Sequence, residues 1–134
     1  TFSDEKIIFN TPGDQSSEPA VAVVGDVKGK HVIIYDDMIR SGRTVLNASK
    51  VYLQSGAARV DVVTSHLACY DNKHIEDLID SDIQKIIVTN SHPMTQTELV
   101  RSSDKFVVLD VSSLISQNLL EMLPSPEHPH RTSL

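Results

Sequence analysis

Short apolar runs separated by polar turns dominate the chain, and their lengths alternate between those of strands and those of helices. Residues 20–24 and 32–35 are continuous apolar runs, the first closed by Gly25 and the second by an acid pair, Asp36-Asp37. Runs without polar alternation predict strands buried in a sheet that is covered on both faces. From Arg43 to Ser55 the period changes: Val45, Ala48, Val51 and Tyr52 recur at helical spacing, and Gly56 supplies the stop. The same reading predicts a strand over 59–64, a helix over 72–80 and strands over 85–89 and 105–109, with a polar stretch over 91–103. A last helix is predicted over 111–123, with Leu114, Ile115, Leu119, Met122 and Leu123 on one face as core or subunit contact and Asp110 or Ser112 as cap. Pro124, Pro126 and Pro129 end it.

Strands that alternate with helices at this spacing predict an α/β fold, a doubly wound, mostly parallel sheet with helices on both faces. Residues 1–19 contain Asn-Thr-Pro-Gly-Asp and Ser-Ser-Glu-Pro, turn chemistry that reads as a mobile arm. The domain then spans 20–123, and 124–134 read as a disordered tail. With 134 residues, 40% of them apolar, the chain can close one core by itself. A net charge of −6 with no basic stripe argues against a nucleic-acid surface. The single cysteine, Cys69, points to a reducing compartment and away from a disulfide framework. No apolar run nears the roughly 20 residues of a membrane span, and no basic-then-apolar signal pattern opens the chain. A cytoplasmic protein without a membrane partner is expected. Because the first residue is threonine, the chain also reads as a fragment or a processed product.

In open parallel sheets, ligands bind beyond the carboxyl ends of the strands. There the sequence places Asp36-Asp37 and the turn Arg40-Ser41-Gly42-Arg43-Thr44. The Ser41 and Thr44 hydroxyls and the turn's N–H groups can bind a phosphate at the start of the following helix. Asp36 and Asp37 can accept from ribose hydroxyls or steady a hydrated Mg²⁺. Two further polar segments, Thr64-Ser65-His66 and Thr89-Asn90-Ser91-His92, follow the next two strands. His66 and His92 read as loop histidines satisfied by backbone. His31, His74, His128 and His130 lack metal-ligand spacing with any cysteine, so no zinc site is expected. Cys69 reads as a buried or half-buried thiol, and Gly29 and Gly56 as turn and helix-end residues.

Apolar strand, Asp-Asp, two residues, then hydroxyl-Gly-x-Thr resembles the phosphoribosyl pyrophosphate loop of the type I phosphoribosyltransferase fold. The wider string is closer to one branch. Gly25-Asp26-Val27-Lys28-Gly29-Lys30, Tyr35-Asp36-Asp37-Met38-Ile39-Arg40-Ser41-Gly42, Ser55-Gly56-Ala57-Ala58, Thr64-Ser65-His66, Thr89-Asn90-Ser91-His92-Pro93 and Leu109-Asp110-Val111-Ser112 resemble, in order, the C-terminal half of ribose-phosphate pyrophosphokinases.

The resemblance spans about residues 20 to 123. It implies transfer of the β,γ-diphosphate of ATP to the C1 hydroxyl of ribose 5-phosphate with Mg²⁺. The 5-phosphate would lie on residues 40–44, including Arg40, Ser41, Gly42, Arg43 and Thr44, and the ribose 2- and 3-hydroxyls on Asp36 and Asp37. It further implies a homo-oligomer, phosphoribosyl pyrophosphate as product, and ATP contacts from an N-terminal half that is missing here. Two positions depart from the family pattern: Arg40 stands where many members have aspartate, and Arg43 where they have glycine. The family's Lys-and-Arg arm is reduced to one basic residue before Gly25, Lys6, the catalytic candidate. The chain alone is therefore expected not to complete the reaction. Two alternatives stay open: a non-catalytic regulatory homologue, and a salvage phosphoribosyltransferase.

Overall fold

Four parallel strands, each hydrogen-bonded to the next in chain order, bring the candidate segments to one edge of a single sheet. A computed structural model describes residues 25–123. The arm, the predicted strand at 20–24, Lys6 and the tail lie outside the described residues. The elements run β1 (His31–Ile39), α1 (Arg43–Gln54), β2 (Arg59–Leu67), α2 (Asn72–Ile79), β3 (Ile86–Thr89), a 3-10 turn (Pro93–Gln96), α3 (Glu98–Ser102), β4 (Phe106–Leu109) and α4 (Ser112–Met122). The parallel α/β architecture expected from the alternation is the one found.

Register explains where the core lies. Val32 and Ile34 pair with Val60 and Val62, Val62 pairs with Ile86, and Ile86 with Phe106, so one continuous apolar face results. All of these residues are buried, and α1 seals them with Val45, Ala48 and Tyr52. Each such side chain contributes about 1.5 to 3 kcal/mol by leaving water. Right-handed crossovers between strands in sequential order put α1, α2 and α3 on this same face. Their alternate neighbours Ile33, Tyr35, Val107 and Leu109 remain partly or largely exposed. β1 therefore alternates, where its sequence predicts burial on both sides.

Two other expectations need correction. β1 runs to Ile39 and β2 to Leu67, so the acid pair sits within a strand rather than after one. Main-chain pairing carries the strand through these polar residues: Asp36 lies opposite Thr64, and Met38 opposite His66. The polar stretch over 91–103 holds the 3-10 turn and α3, which bury Thr95 and Val100. α4 forms as predicted, and Leu114, Ile115, Leu119, Met122 and Leu123 are all exposed, so of the two roles the sequence leaves open for this face, a place in the described core is not the one found. Asp110 does serve its start: the Asp110 carboxylate accepts from Ser112 N–H at 2.8 Å.

Candidate functional site

The turn from β1 to α1 is shaped by Gly42. Its φ of +73° is left-handed backbone, and a Cβ there would come within 3.1 Å of Leu78 Cδ2. Glycine is thus required both by the backbone and by the close approach of α2. Because glycine offers no side chain, α1 starts without a side-chain cap; Leu46 N–H closes the first turn on Gly42 O at 2.9 Å. First-turn N–H groups left without an intrahelical partner, with the positive end of the helix dipole, favour an anion.

An open hollow of about 210 Å³ lies at this turn, lined by Asp36, Arg40, Ser41, Gly42, Thr44 and, from β1, Met38. Ser41 Oγ accepts a long bond from Arg43 N–H at 3.4 Å, and Arg40 Nε lies 3.2 Å from Met38 Sδ. A second hollow of about 470 Å³ adjoins it along β1, sharing Asp36 and Thr44 and adding Tyr35 and Asp37. Five of the candidate residues, Asp36, Arg40, Ser41, Gly42 and Thr44, thus surround one space. Asp37 borders the neighbouring one, Arg43 opens α1 without lining either, and Lys6 lies outside the described residues.

Asp36 is the half-buried member of the acid pair. Its carboxylate accepts from Asp37 N–H at 2.9 Å, yet burial, followed by the Asp37 carboxyl beside it, raises its pKa above the usual carboxylate range. Two adjacent carboxylates facing a wet hollow suit hydroxyl donors, and also a Mg²⁺ ion, which is ordinarily held by one or two carboxylates with water and substrate phosphates. Among the described residues no group of three or more His, Cys, Asp or Glu side chains could hold a metal.

The carboxyl ends of β2 and β3 carry a second polar cluster. Thr89 Oγ1 donates to Ser65 O at 2.6 Å, and Ser91 Oγ lies 2.8 Å from Thr89 Oγ1 and 3.1 Å from Ser65 O. Ser91 Oγ is also 2.6 Å from His66 Nδ1. His66 is therefore oriented by a side chain, not satisfied by backbone as the sequence suggests. His92 does follow expectation, its Nδ1 accepting from Met94 N–H at 3.2 Å. The Ser91–His66 pairing links residues 25 apart in sequence, and only the ordering of β2 beside β3 could have signalled it.

At the opposite end of the strands Asp61 is buried among His31, Arg59 and the Lys85 N–H. Burial alone would raise its pKa, but hydrogen bonds from Arg59 and His31 hold it below the usual range. This cluster braces β1 against β2 and stands away from the hollows. Cys69 is buried, and burial pushes its thiol up to about 11. No helix among the described residues is long and apolar enough to cross a membrane.

Residues 6–124 match the family model described as phosphoribosyl synthetase-associated domain. A ribose-phosphate pyrophosphokinase of Gloeobacter violaceus is 37% identical over 95 residues, covering 71% of this chain and 27% of that protein. Ribose-phosphate pyrophosphokinase 1 of Saccharomyces cerevisiae is 36% identical over 102 residues, covering 75% of this chain and 23% of that protein. The crystal structure of phosphoribosylpyrophosphate synthetase from Mycobacterium smegmatis superposes with a TM-score of 0.66 at 33% identity, covering 72% of this chain and 31% of that one. The chain spans about a quarter of the length of these two curated relatives.

Proposed function

The chain belongs to the phosphoribosyl synthetase-associated domain family, and from that membership we propose that it is the ribose 5-phosphate-binding half of a ribose-phosphate pyrophosphokinase. Such an enzyme converts ATP and ribose 5-phosphate to phosphoribosyl pyrophosphate and AMP. The observation that carries this reading is the uncapped start of α1 at Gly42, with Ser41, Thr44 and Asp36 around one hollow.

The Ser41 and Thr44 hydroxyls and the free N–H groups of the turn take the 5-phosphate, with Arg40 and Arg43 supplying positive charge on either side. Asp36 and Asp37 take the ribose hydroxyls. Charge-assisted bonds of this kind fix the sugar so that its C1 hydroxyl is presented in one orientation. Mg²⁺, held by the Asp36 and Asp37 carboxylates together with the substrate, would neutralise charge on the transferred phosphates. ATP contacts come from an N-terminal half of the protein, and Lys6 is the candidate for the cationic arm. The assembled protein is a cytoplasmic homo-oligomer in which Cys69 stays a free thiol.

A non-catalytic regulatory homologue is the second reading, favoured by the single basic residue, Lys6, ahead of Gly25. The full-length polypeptide separates the two. AMP formed from ATP under Mg²⁺ only when ribose 5-phosphate is present supports the enzyme. Ribose 5-phosphate binding without AMP formation supports the regulatory homologue.

A further inference from the structure

We propose that His66, held by Ser91, is an additional phosphate-binding residue of this cradle, donating from Nε2 to the 5-phosphate; the inference rests on the reading that residues 40–44 hold that group. His66 lies opposite Met38 in the β1–β2 register, and Met38 lines the 210 Å³ hollow. Neighbouring strands are about 4.8 Å apart, and residues two apart on a strand share a face. His66 thus stands on the same side of the sheet as Asp36 and Met38, one strand away from the hollow. The segment after it stays close to the turn: Ala68 N–H donates to Ile39 O at 2.8 Å.

The ring is held at one nitrogen and open at the other. Nδ1 is 2.6 Å from Ser91 Oγ, which Thr89 Oγ1 and Ser65 O hold in turn. Nε2 has no partner among the described residues, and the side chain is exposed. Thr89 Oγ1 and Ser91 Oγ both donate to Ser65 O, so the contact between the ring and Ser91 is made by His66 Nδ1–H donating to Ser91 Oγ. The protonated ring then carries its second N–H at Nε2. That form offers an N–H donor, which a phosphate oxygen requires and a ribose hydroxyl does not.

The charge pattern calls for such a donor. Asp36 faces the hollow and Asp37 adjoins it, so a dianionic phosphate entering there meets two carboxylates. Arg40 and the start of α1 offset them from the β1 side, and His66 does so from β2. His92 follows β3, two strands from β1, and lines neither hollow.

The test is calorimetric titration of ribose 5-phosphate into the parent protein and into variants whose unfolding temperatures match it. His66→Ala should weaken binding about tenfold, the loss of one charge-assisted hydrogen bond. His66→Gln, which returns an N–H near the Nε2 position, should recover to within about threefold of the parent. Ser91→Ala should weaken the parent about threefold and cost nothing further in the His66→Ala background, because it acts only through the ring. Binding by His66→Ala within twofold of the parent overturns the proposal, as do failure of glutamine to rescue and a Ser91→Ala loss that persists without His66. These outcomes leave the cradle reading standing. No binding of ribose 5-phosphate by the parent overturns both.

Discussion

Gly42 and Leu78 are in contact across the interface of α1 and α2, with 3.1 Å between Leu78 Cδ2 and the place a Gly42 Cβ would occupy. The turn that forms the cradle is thereby fixed by the core, since Leu78 is fully buried. A left-handed residue with a Cβ costs about 1 to 2 kcal/mol, and crowding of Leu78 adds to it. Gly42→Ala should therefore lower urea stability by about 2 kcal/mol or more and weaken ligand binding together with it. Unchanged stability in equilibrium unfolding would show that the turn is not locked in this way.

The buried Asp61 cluster makes stability depend on acid. Arg59 and His31 hold the folded-state pKa below the ordinary value near ~3.9. Its contribution is complete above that value and is lost as pH falls through the lower, folded-state pKa. Asp61→Asn should destabilise the protein at neutral pH, because Arg59 and His31 lose the carboxylate that accepts from them. The difference between variant and parent should shrink in urea unfolding series taken from pH 5 down to pH 2. A constant difference across that range would contradict the assignment.

Cys69 should be silent in the folded protein. With its thiol pushed up to about 11, almost no thiolate exists at pH 8, and burial also blocks reagents. Dithiobis-nitrobenzoate should label it at pH 8 only in denaturing urea. Rapid labelling under native conditions would mean that the packing around Ile39 and Cys69 opens readily.

Two side chains, Asp110 and Asn90, hold the start of α4. Asn90 Nδ2 donates to Asp110 Oδ1 at 2.9 Å, while Asn90 Oδ1 accepts from Val111 N–H at 3.1 Å. Asn90→Ala should cost about 1 to 2 kcal/mol and speed amide exchange through α4 while leaving α1 protected. Equal acceleration in both helices would show that Asn90 supports the whole sheet edge instead.

How much of this could be read in the chain depended on the range of the signal. α1 was legible to within a residue, because Val45, Ala48 and Tyr52 bury on one side of a regular period. The grouping of Asp36, Ser41, Gly42 and Thr44 was legible too, since nine consecutive residues encode it. β1 was read short: Asp36 and Asp37 look like the end of a strand, yet pairing with β2 carries β1 on to Ile39. α3 escaped because five residues carry no period, and its one buried residue, Val100, gives no pattern. The helical form of α4 was plain, whereas the exposure of its leucines depends on what surrounds them, which no local pattern records. The Ser91–His66 and Gly42–Leu78 relationships are tertiary and required the fold.

The most direct measurement is titration of the chain with ribose 5-phosphate, with and without Mg²⁺, alongside Asp36→Ala and Asp37→Ala. Weak, Mg²⁺-sensitive binding is predicted, and each substitution should remove about 1.5 to 3 kcal/mol of it by taking away a charged acceptor for the ribose hydroxyls. Absence of binding by the intact chain, or binding indifferent to both substitutions, would contradict the assignment of this hollow as a sugar-phosphate site.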